Sequence, residues 1–411
     1  MRLSNTTITP TKNITKDADT VNSRLLVQGG FVRQLMAGSY IYLPFGLRVL
    51  NKIRNIIRSE MDALGGQEIS MPALQPAKNW KTSGGWDSVD VLFKIKSRTG
   101  KDYALGQSHE EVATPLMKEF INSYKDLPTA VYQINWKFRD ELRAKSGVLR
   151  GREFEMKDMY SFHETQADFE KFYNSVKLAY IRAYNKLGLK AKATEASGGN
   201  FSNKISYEFM VLTSAGEDDI LYCDKCDYCV NDENTSLNGN NKCPKCKQGM
   251  LVEAVASEVG NVFDLGKKYA ENFGLTYIGR DGQPHYPIMG CYGWGTTRTM
   301  GVIVEHFNDE KGILWPKSVA PFDVHLIAVR GAEKQGEELY KFLQKEKIEV
   351  LFDDRDGISA GEKFAGADLI GCPYRLVVSP KIGEGKIELK ERSSESIEIT
   401  SLSGLKQIIS I

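Results

Sequence analysis

Leu47, Leu50, Ile53, Ile57, Met61 and Leu64 recur at steps of three and four, the spacing that lines one face of an α-helix. A helix is predicted over residues 44–64, stopped by Gly65 and Gly66. A short strand over 68–71 follows, ended by Pro72. Residues 108–124 and 165–187 read as further helices, the second closed by Gly188. Residues 131–138 alternate well enough for a strand, and 152–159 read as its partner across a polar loop. Strands paired across short loops point to an antiparallel sheet carrying helices, an α+β fold. After Trp315-Pro316 the pattern changes. Strand signals at 324–329, 349–352 and 375–378 alternate with helix signals at 333–345 and 359–370. That order predicts a separate α/β domain over 320–411, leaving 1–319 as the first domain.

Composition narrows the classes. With 54 Lys+Arg against 53 Asp+Glu, the net charge of +1 predicts no general attraction to polyanions, so contact with nucleic acid has to come from local arrangement. The polar first twenty residues resemble neither a signal nor a transit peptide. No run approaches the roughly 18 apolar residues of a membrane span. The expectation is a soluble cytoplasmic protein. Five of the seven cysteines lie between Cys223 and Cys246. Cys223-x2-Cys226 and Cys243-x2-Cys246, sixteen residues apart, fit the spacing by which two tight turns clip one tetrahedral zinc ion. The segment 220–252 is therefore expected to be a zinc-ribbon-like insertion. Cys229 is left out, because pairing it with Cys226 shortens the gap below that spacing. Four thiolates leave no open position, so the zinc would be structural.

Two further constellations carry chemistry. The first is Phe138-Arg139-Asp140-Glu141, a loop, then Arg150-Gly151-Arg152-Glu153-Phe154. A fixed guanidinium forks onto phosphate and carboxylate oxygens, a carboxylate can orient Mg²⁺ or an amine, and a Phe face can stack on a base. A surface hairpin of mixed charge would look the same. The second is a glycine-rich turn from Met289 to Arg298 leading into an apolar helix. Glycines allow close approach of backbone to ligand, and Arg298 stands at a helix start, where anions bind. Taken alone, it is also an ordinary strand-to-helix turn.

In order along the chain, these features resemble the three motifs of class II aminoacyl-tRNA synthetases. LGQSHEE at 105–111, YQINWKFRDE at 132–141, REFEMKD at 152–158, YSFH at 160–163 and GCYG at 290–293 sharpen the match to bacterial-type prolyl-tRNA synthetases. GEDD at 216–219, VGNVFDLG at 259–266 and GILWP at 312–316 also match. The stretch from DDR at 353–355 to DLIG at 368–371 resembles the family's anticodon-binding domain.

The resemblance implies a fold, a reaction and roles. Proline would be activated by ATP with Mg²⁺ and passed to tRNA(Pro). Arg139 would hold the proline carboxylate and the α-phosphate, and Arg298 the γ-phosphate side. Glu141 would sit near the adenine, with Phe154 stacked on it and Arg150 and Arg152 beside the nucleotide. Ser108 and Glu110 would receive the imino group, with Tyr207, Glu208 and Cys291 lining the pocket. Ser108 with Glu111 also has the spacing of a helix capping box, and both roles can hold. Asp353, Asp354, Arg355 and Lys363 would meet the anticodon. The helix from Pro44 and its strand resemble the dimer-forming motif, so a homodimer is expected. Departures fall on the amino-acid pocket. Ser108 replaces the usual Thr, Tyr207 the usual His, and Ser202-Asn203 the usual Gly-Gly. A related synthetase for another amino acid, or a non-catalytic tRNA-binding paralogue, are the rival readings. Between the 219 and 259 segments, where many relatives carry an editing domain, only the cysteine-rich stretch is present.

Overall fold

A computed structural model describes residues 1–11, 19–197 and 205–408. The chain divides into two compact units, Met36–Ser39 with Ile53–Val302, and Met1–Leu35 with Tyr40–Lys52 and Ile303–Ile411. No helix among the described residues is long and apolar enough to cross a membrane.

Helix α1 (Pro44–Ala63) carries the predicted stripe, with Leu50, Ile53, Ile57 and Met61 fully buried. Strand β1 (Gln67–Glu68) is shorter than expected. Past Ile69 the backbone of Met71 bonds the side chains of Gln133 and Asn135, which take the place of a neighbouring strand. Helix α2 (Glu110–Met117) is also shorter than its apolar pattern. Pro115 lacks the N–H that would bond the Glu111 carbonyl, and Asn79 Nδ2 supplies a donor there instead, at 2.7 Å.

Strand β2 (Thr129–Phe138) pairs antiparallel with β3 (Glu153–His163), setting Gln133 opposite Asp158. Thr165 caps α3 (Gln166–Lys186) through its side chain. Then come β4 (Lys192–Ser197), β5 (Ile205–Leu212), β6 (Asp218–Cys223), β7 (Cys229–Asn231), β8 (Leu251–Gly266) and β9 (Ile288–Gly295), followed by α4 (Thr296–His306). They form a nine-stranded sheet of order β5-β4-β7-β6-β8-β9-β3-β2-β1, with β5 also paired to β8. Two of its pairings are parallel, β1 with β2 and β4 with β7; the rest are antiparallel. The expected glycine-rich turn is thus a wholly buried central strand. Tyr292 and Trp294 face α3, where Tyr184 stacks on Trp294 with centroids 3.8 Å apart. Cys291 and Gly293, at the alternate positions, face the other way.

The second unit holds β10 (Val324–Ala328), α5 (Glu333–Lys345), β11 (Val350–Asp353), α6 (Ala360–Ile370), β12 (Tyr374–Val378), β13 (Lys386–Glu391) and β14 (Ile397–Ser401). Its sheet runs β11-β10-β12-β13-β14. The first three strands are parallel, as the alternating order predicts, and the last two add an antiparallel hairpin. Arg2 forms an isolated parallel bridge to Phe352 on the β11 edge. Phe31 packs on Trp315, and Phe45 on Phe322.

Candidate active site

The loop between β2 and β3, together with β8, β9 and the start of α4, encloses a cleft lined by Arg139, Glu141, Arg150, Phe154, Glu258, Asn261, Gly293 and Arg298 among others. Arg139 is its centre. The Nε of its guanidinium is buried with no hydrogen-bond partner, and its Cζ lies 5.1 Å from the centroid of the Phe154 ring. Burial, and next the charge of Arg298, hold its pKa below the usual arginine range. A buried cation with an unused donor is costly unless an anion completes it.

Arg298 is anchored by bonds from Nε to the Leu149 carbonyl and from Nη1 to the Glu258 carbonyl. Arg150 bonds Glu141 through Nε and Nη2 and Glu217 through Nη1, so the 216–219 segment is tied to the cleft. Arg152 is not among the lining residues. It donates to the carbonyls of Glu141 and Ala37, bracing the loop. Glu258 and Asn261, bonded to each other at 2.8 Å, are cleft residues that sequence reasoning missed; Glu258 stands one residue ahead of the VGNVFDLG match.

A second cleft meets Arg139 from another side, lined by Trp80, Gln107, Glu111, Lys268 and Tyr269 among others. Close to Arg139 in charge terms lies a fully buried pocket. Glu110 accepts from the Cys291 thiol at 2.9 Å and from the Ser108 hydroxyl. Burial raises the Glu110 pKa above the usual carboxylate range, and a cation placed beside it would favour its charged form. Ser108 does not cap α2. The N-cap is His109, without a side-chain cap bond, while Glu111 is bonded by Ser83. The capping box is therefore absent, because Glu110 claims the Ser108 hydroxyl.

Behind this pocket sits a buried polar array. Lys137 Nζ lies 2.7 Å from Asp158 Oδ1, an ion pair off hydrogen-bond alignment. Gln133 and the Tyr160 hydroxyl both donate to Asp158 Oδ2, at 3.0 and 2.9 Å. The His109 backbone N–H donates to the Tyr160 oxygen at 2.9 Å. Burial, followed by the charge of Lys137, pushes the His109 pKa down to about 4.

Tyr207 and Glu208 fall on opposite faces of β5. Tyr207 packs under Lys177, whose Nζ is 3.3 Å from the ring centroid, and bonds Glu195. It lies on the α3 side of the sheet because β5 alternates. Glu208 has Glu258, Asp218 and Arg298 as its charged neighbours, and burial ahead of the two acids raises its pKa to about 8. Ser202 and Asn203 lie outside the described residues.

The sulfur atoms of Cys223, Cys226, Cys243 and Cys246 all lie within 4.8 Å of one another. Cys223 and Cys246 are 3.7 Å apart, and Cys226 and Cys243 are 3.6 Å apart. Zinc–sulfur bonds of about 2.3 Å in a tetrahedron put sulfurs about 3.8 Å apart, so the cluster fits the ion. Backbone N–H groups of Lys225 and Gly249 point at two of the sulfurs. Cys229 stands apart, its sulfur bonded by Thr194.

In the second unit, the four expected anticodon residues are engaged with internal partners. Asp353 is fully buried and held by Arg355 through two bonds. Lys363 donates to the carbonyls of Ala328 and Asp353, and Asp354 takes Arg2 and Ser4. They brace a loop whose exposed residues are Asp356, Gly357 and Ser359.

Residues 93–307 match the family described as tRNA synthetase class II core domain (G, H, P, S and T), and residues 319–410 the anticodon binding domain. A proline–tRNA ligase of Rhodospirillum rubrum is 38% identical over the whole of both chains. That of Maricaulis maris is also 38% identical, over 97% of this chain and 96% of its own. The ligase of Thermosipho africanus is 32% identical over 96% of each chain. Its alignment runs to 545 positions against 411 residues here, so that relative carries a long stretch with no counterpart in this chain. Among solved structures, the prolyl-tRNA synthetase of Cryptosporidium parvum complexed with L-proline and AMP superposes with a TM-score of 0.78 over 98% of this chain and 77% of its own, at 18% identity, which speaks for the fold. The full-length likeness to the bacterial ligases, joined to the class II core and anticodon matches, makes this chain a member of the prolyl-tRNA synthetases.

Proposed function

We propose that the chain joins L-proline to tRNA(Pro) at the expense of ATP, with the two half-reactions meeting at Arg139. The observation that carries this reading is the buried, incompletely bonded guanidinium of Arg139, which borders the nucleotide cleft and is electrostatically close to Glu110. Glu110 and Ser108 take the ring nitrogen, a secondary ammonium that fits a carboxylate partner. Cys291 closes the pocket beside them. Arg139 aligns the proline carboxylate with the α-phosphate. One carboxylate oxygen attacks the α-phosphorus in line, and pyrophosphate leaves. Phe154 stacks on the base, Arg150 keeps Glu141 in place near it, and Arg298 meets the outer phosphates. Glu258 and Asn261 would offer oxygen donors to a Mg²⁺ ion bound with the nucleotide, which would supply neutralisation of phosphate charge. No protein nucleophile is required; positioning and charge stabilisation suffice. The terminal ribose hydroxyl of tRNA then attacks the acyl carbon through the second cleft, and AMP leaves.

The cysteine ribbon holds a structural zinc ion. The second unit takes the anticodon through the loop braced by Asp353, Asp354, Arg355 and Lys363. Leu35, Met36 and Ile41, apolar and exposed by 70%, 58% and 49%, support the expected homodimer. The reading places the enzyme in the cytoplasm.

Amino-acid-dependent ATP–pyrophosphate exchange with a panel of amino acids tests the assignment. Exchange that depends on proline is expected. Exchange that answers to another amino acid, or none at all, would favour one of the rivals.

A further inference from the structure

We propose that Tyr160 is a positioning residue for the ring nitrogen of proline, its oxygen receiving the Ser108 hydroxyl hydrogen when substrate binds. This rests on the assignment of Ser108 and Glu110 to that nitrogen made above.

The argument is one of counting donors and acceptors. In the structure both Glu110 oxygens already accept, one from the Cys291 thiol and one from the Ser108 hydroxyl. A secondary ammonium brings two N–H donors. Glu110 can take one, and on the assignment above the other falls to the oxygen of Ser108, whose hydrogen points at Glu110. For Ser108 to accept, its hydrogen has to turn to another acceptor. The Tyr160 oxygen is 3.5 Å away. That oxygen has two lone pairs, and the His109 N–H uses one. Its own hydrogen is committed to Asp158 Oδ2, so it cannot turn toward Ser108 and compete.

Asp158 is held in that role by Lys137 and Gln133. Lys137 and Asp158 are 0% and 1% exposed. Burying such a pair is weak evidence of stability and better evidence of a fixed arrangement. What it fixes here is the direction of the Tyr160 hydroxyl. The same hydroxyl oxygen also accepts the His109 N–H at the start of α2, which fixes the Tyr160 oxygen beside Ser108.

Tyr160→Phe keeps the buried ring and removes only the hydroxyl. In pyrophosphate exchange the KM for proline should rise about tenfold, the scale of a lost hydrogen bond to a charged group, while the KM for ATP is unmoved. Inhibition by tetrahydrofuran-2-carboxylate, with a ring oxygen and no N–H, should be unchanged. Because Tyr160 acts through Ser108, adding Tyr160→Phe to Ser108→Ala should raise the proline KM no further. The proposal is overturned if Tyr160→Phe leaves the proline KM alone, if the two substitutions multiply, or if the oxygen analogue weakens in parallel. Glu110→Gln separates the two levels. If it leaves the proline KM unchanged, the nitrogen assignment itself falls. If it raises that KM while Tyr160→Phe does not, only the Tyr160 inference falls.

Discussion

Arg139 holds its charge where water cannot reach the inner edge of the guanidinium. Its value lies in an anion that arrives later. Arg139→Ala is expected to lower proline-dependent exchange by at least about 10²-fold, the scale of losing one preorganised charge partner; near-normal exchange by the variant would remove Arg139 from the centre of the site. His325 makes the opposite case. Both ring nitrogens are buried without a partner, and burial, with Arg355, Arg375 and Lys363 also opposing the charged form, pushes its pKa down to about 4 although Asp353 favours it. In the window from about 6.5 to about 4 the unfolded chain binds the proton and the folded one does not, so stability is lost as pH falls through that window. The drop in melting temperature between pH 7 and pH 4.5 should therefore be smaller in His325→Asn than in the parent; an equal drop would show that His325 takes up its proton in the folded state as readily as in the unfolded one. Arg139, Glu141 and Arg298, which the structure brings to one cleft, stood out in the sequence only when the motifs were taken together, since a hairpin of mixed charge alone looks the same. Lys137, Asp158 and Tyr160 were not read as an array, since they meet only through the β2–β3 register and the fold of the segment before α2. The internal partners of Asp353 and Lys363 were not legible, because charge type alone does not show which neighbour a group meets.

At the scale of elements, the glycines of β9 serve packing, not turning. A Cβ on Gly293 would stand 2.6 Å from Asn261 Oδ1, so the amide would have to leave the cleft floor. Gly293→Ala is expected to raise the KM for ATP about tenfold or more, as one lost charge-assisted contact would, with little change in melting temperature. An unaltered KM for ATP would mean that Asn261 moves without consequence. The ribbon offers a cleaner test. Purified protein should contain one zinc ion per chain, and Cys243→Ser should lose it, with increased protease cutting within residues 220–252. Stoichiometric zinc in that variant would refute the ligand set. Helices with caps were the most legible elements: Thr165 and Ser359 stand at N-caps and bond as such. The strand β9 was read as a turn because glycine speaks for turns by default, and only the neighbouring tyrosine and asparagine explain its presence in a sheet. The capping box failed for a comparable reason: two partners competed for one serine hydroxyl.

For the whole molecule, the span from Asp219 to Val259 contains most of β6, then β7, the ribbon and the first half of β8, leaving no room for a domain with a hydrolytic pocket of its own. A pocket shaped for proline rejects alanine weakly, each missing methylene being worth about 1–3 kcal/mol. The enzyme is expected to make some alanyl-tRNA and to leave it intact. Preformed alanyl-tRNA with a proline anticodon, incubated with the enzyme, should decay no faster than in buffer; faster decay would reveal an editing site within these residues. The order of strands and helices in the second unit was visible in the sequence, but its reach back to the start of the chain was not, because no periodicity reports which distant segment a residue will meet. That discontinuity has a consequence in time. Residues 1–35 leave the ribosome well before residues 303–411, yet they belong to the same unit. At roughly 5–20 residues per second, Phe31 waits some tens of seconds for Trp315, the ring it packs against. Only near the end of that interval does the other unit, which runs to Val302, have every residue it needs, and until then Leu25, Leu26 and Phe31, fully buried in the finished protein, are open to whatever chaperone is at hand.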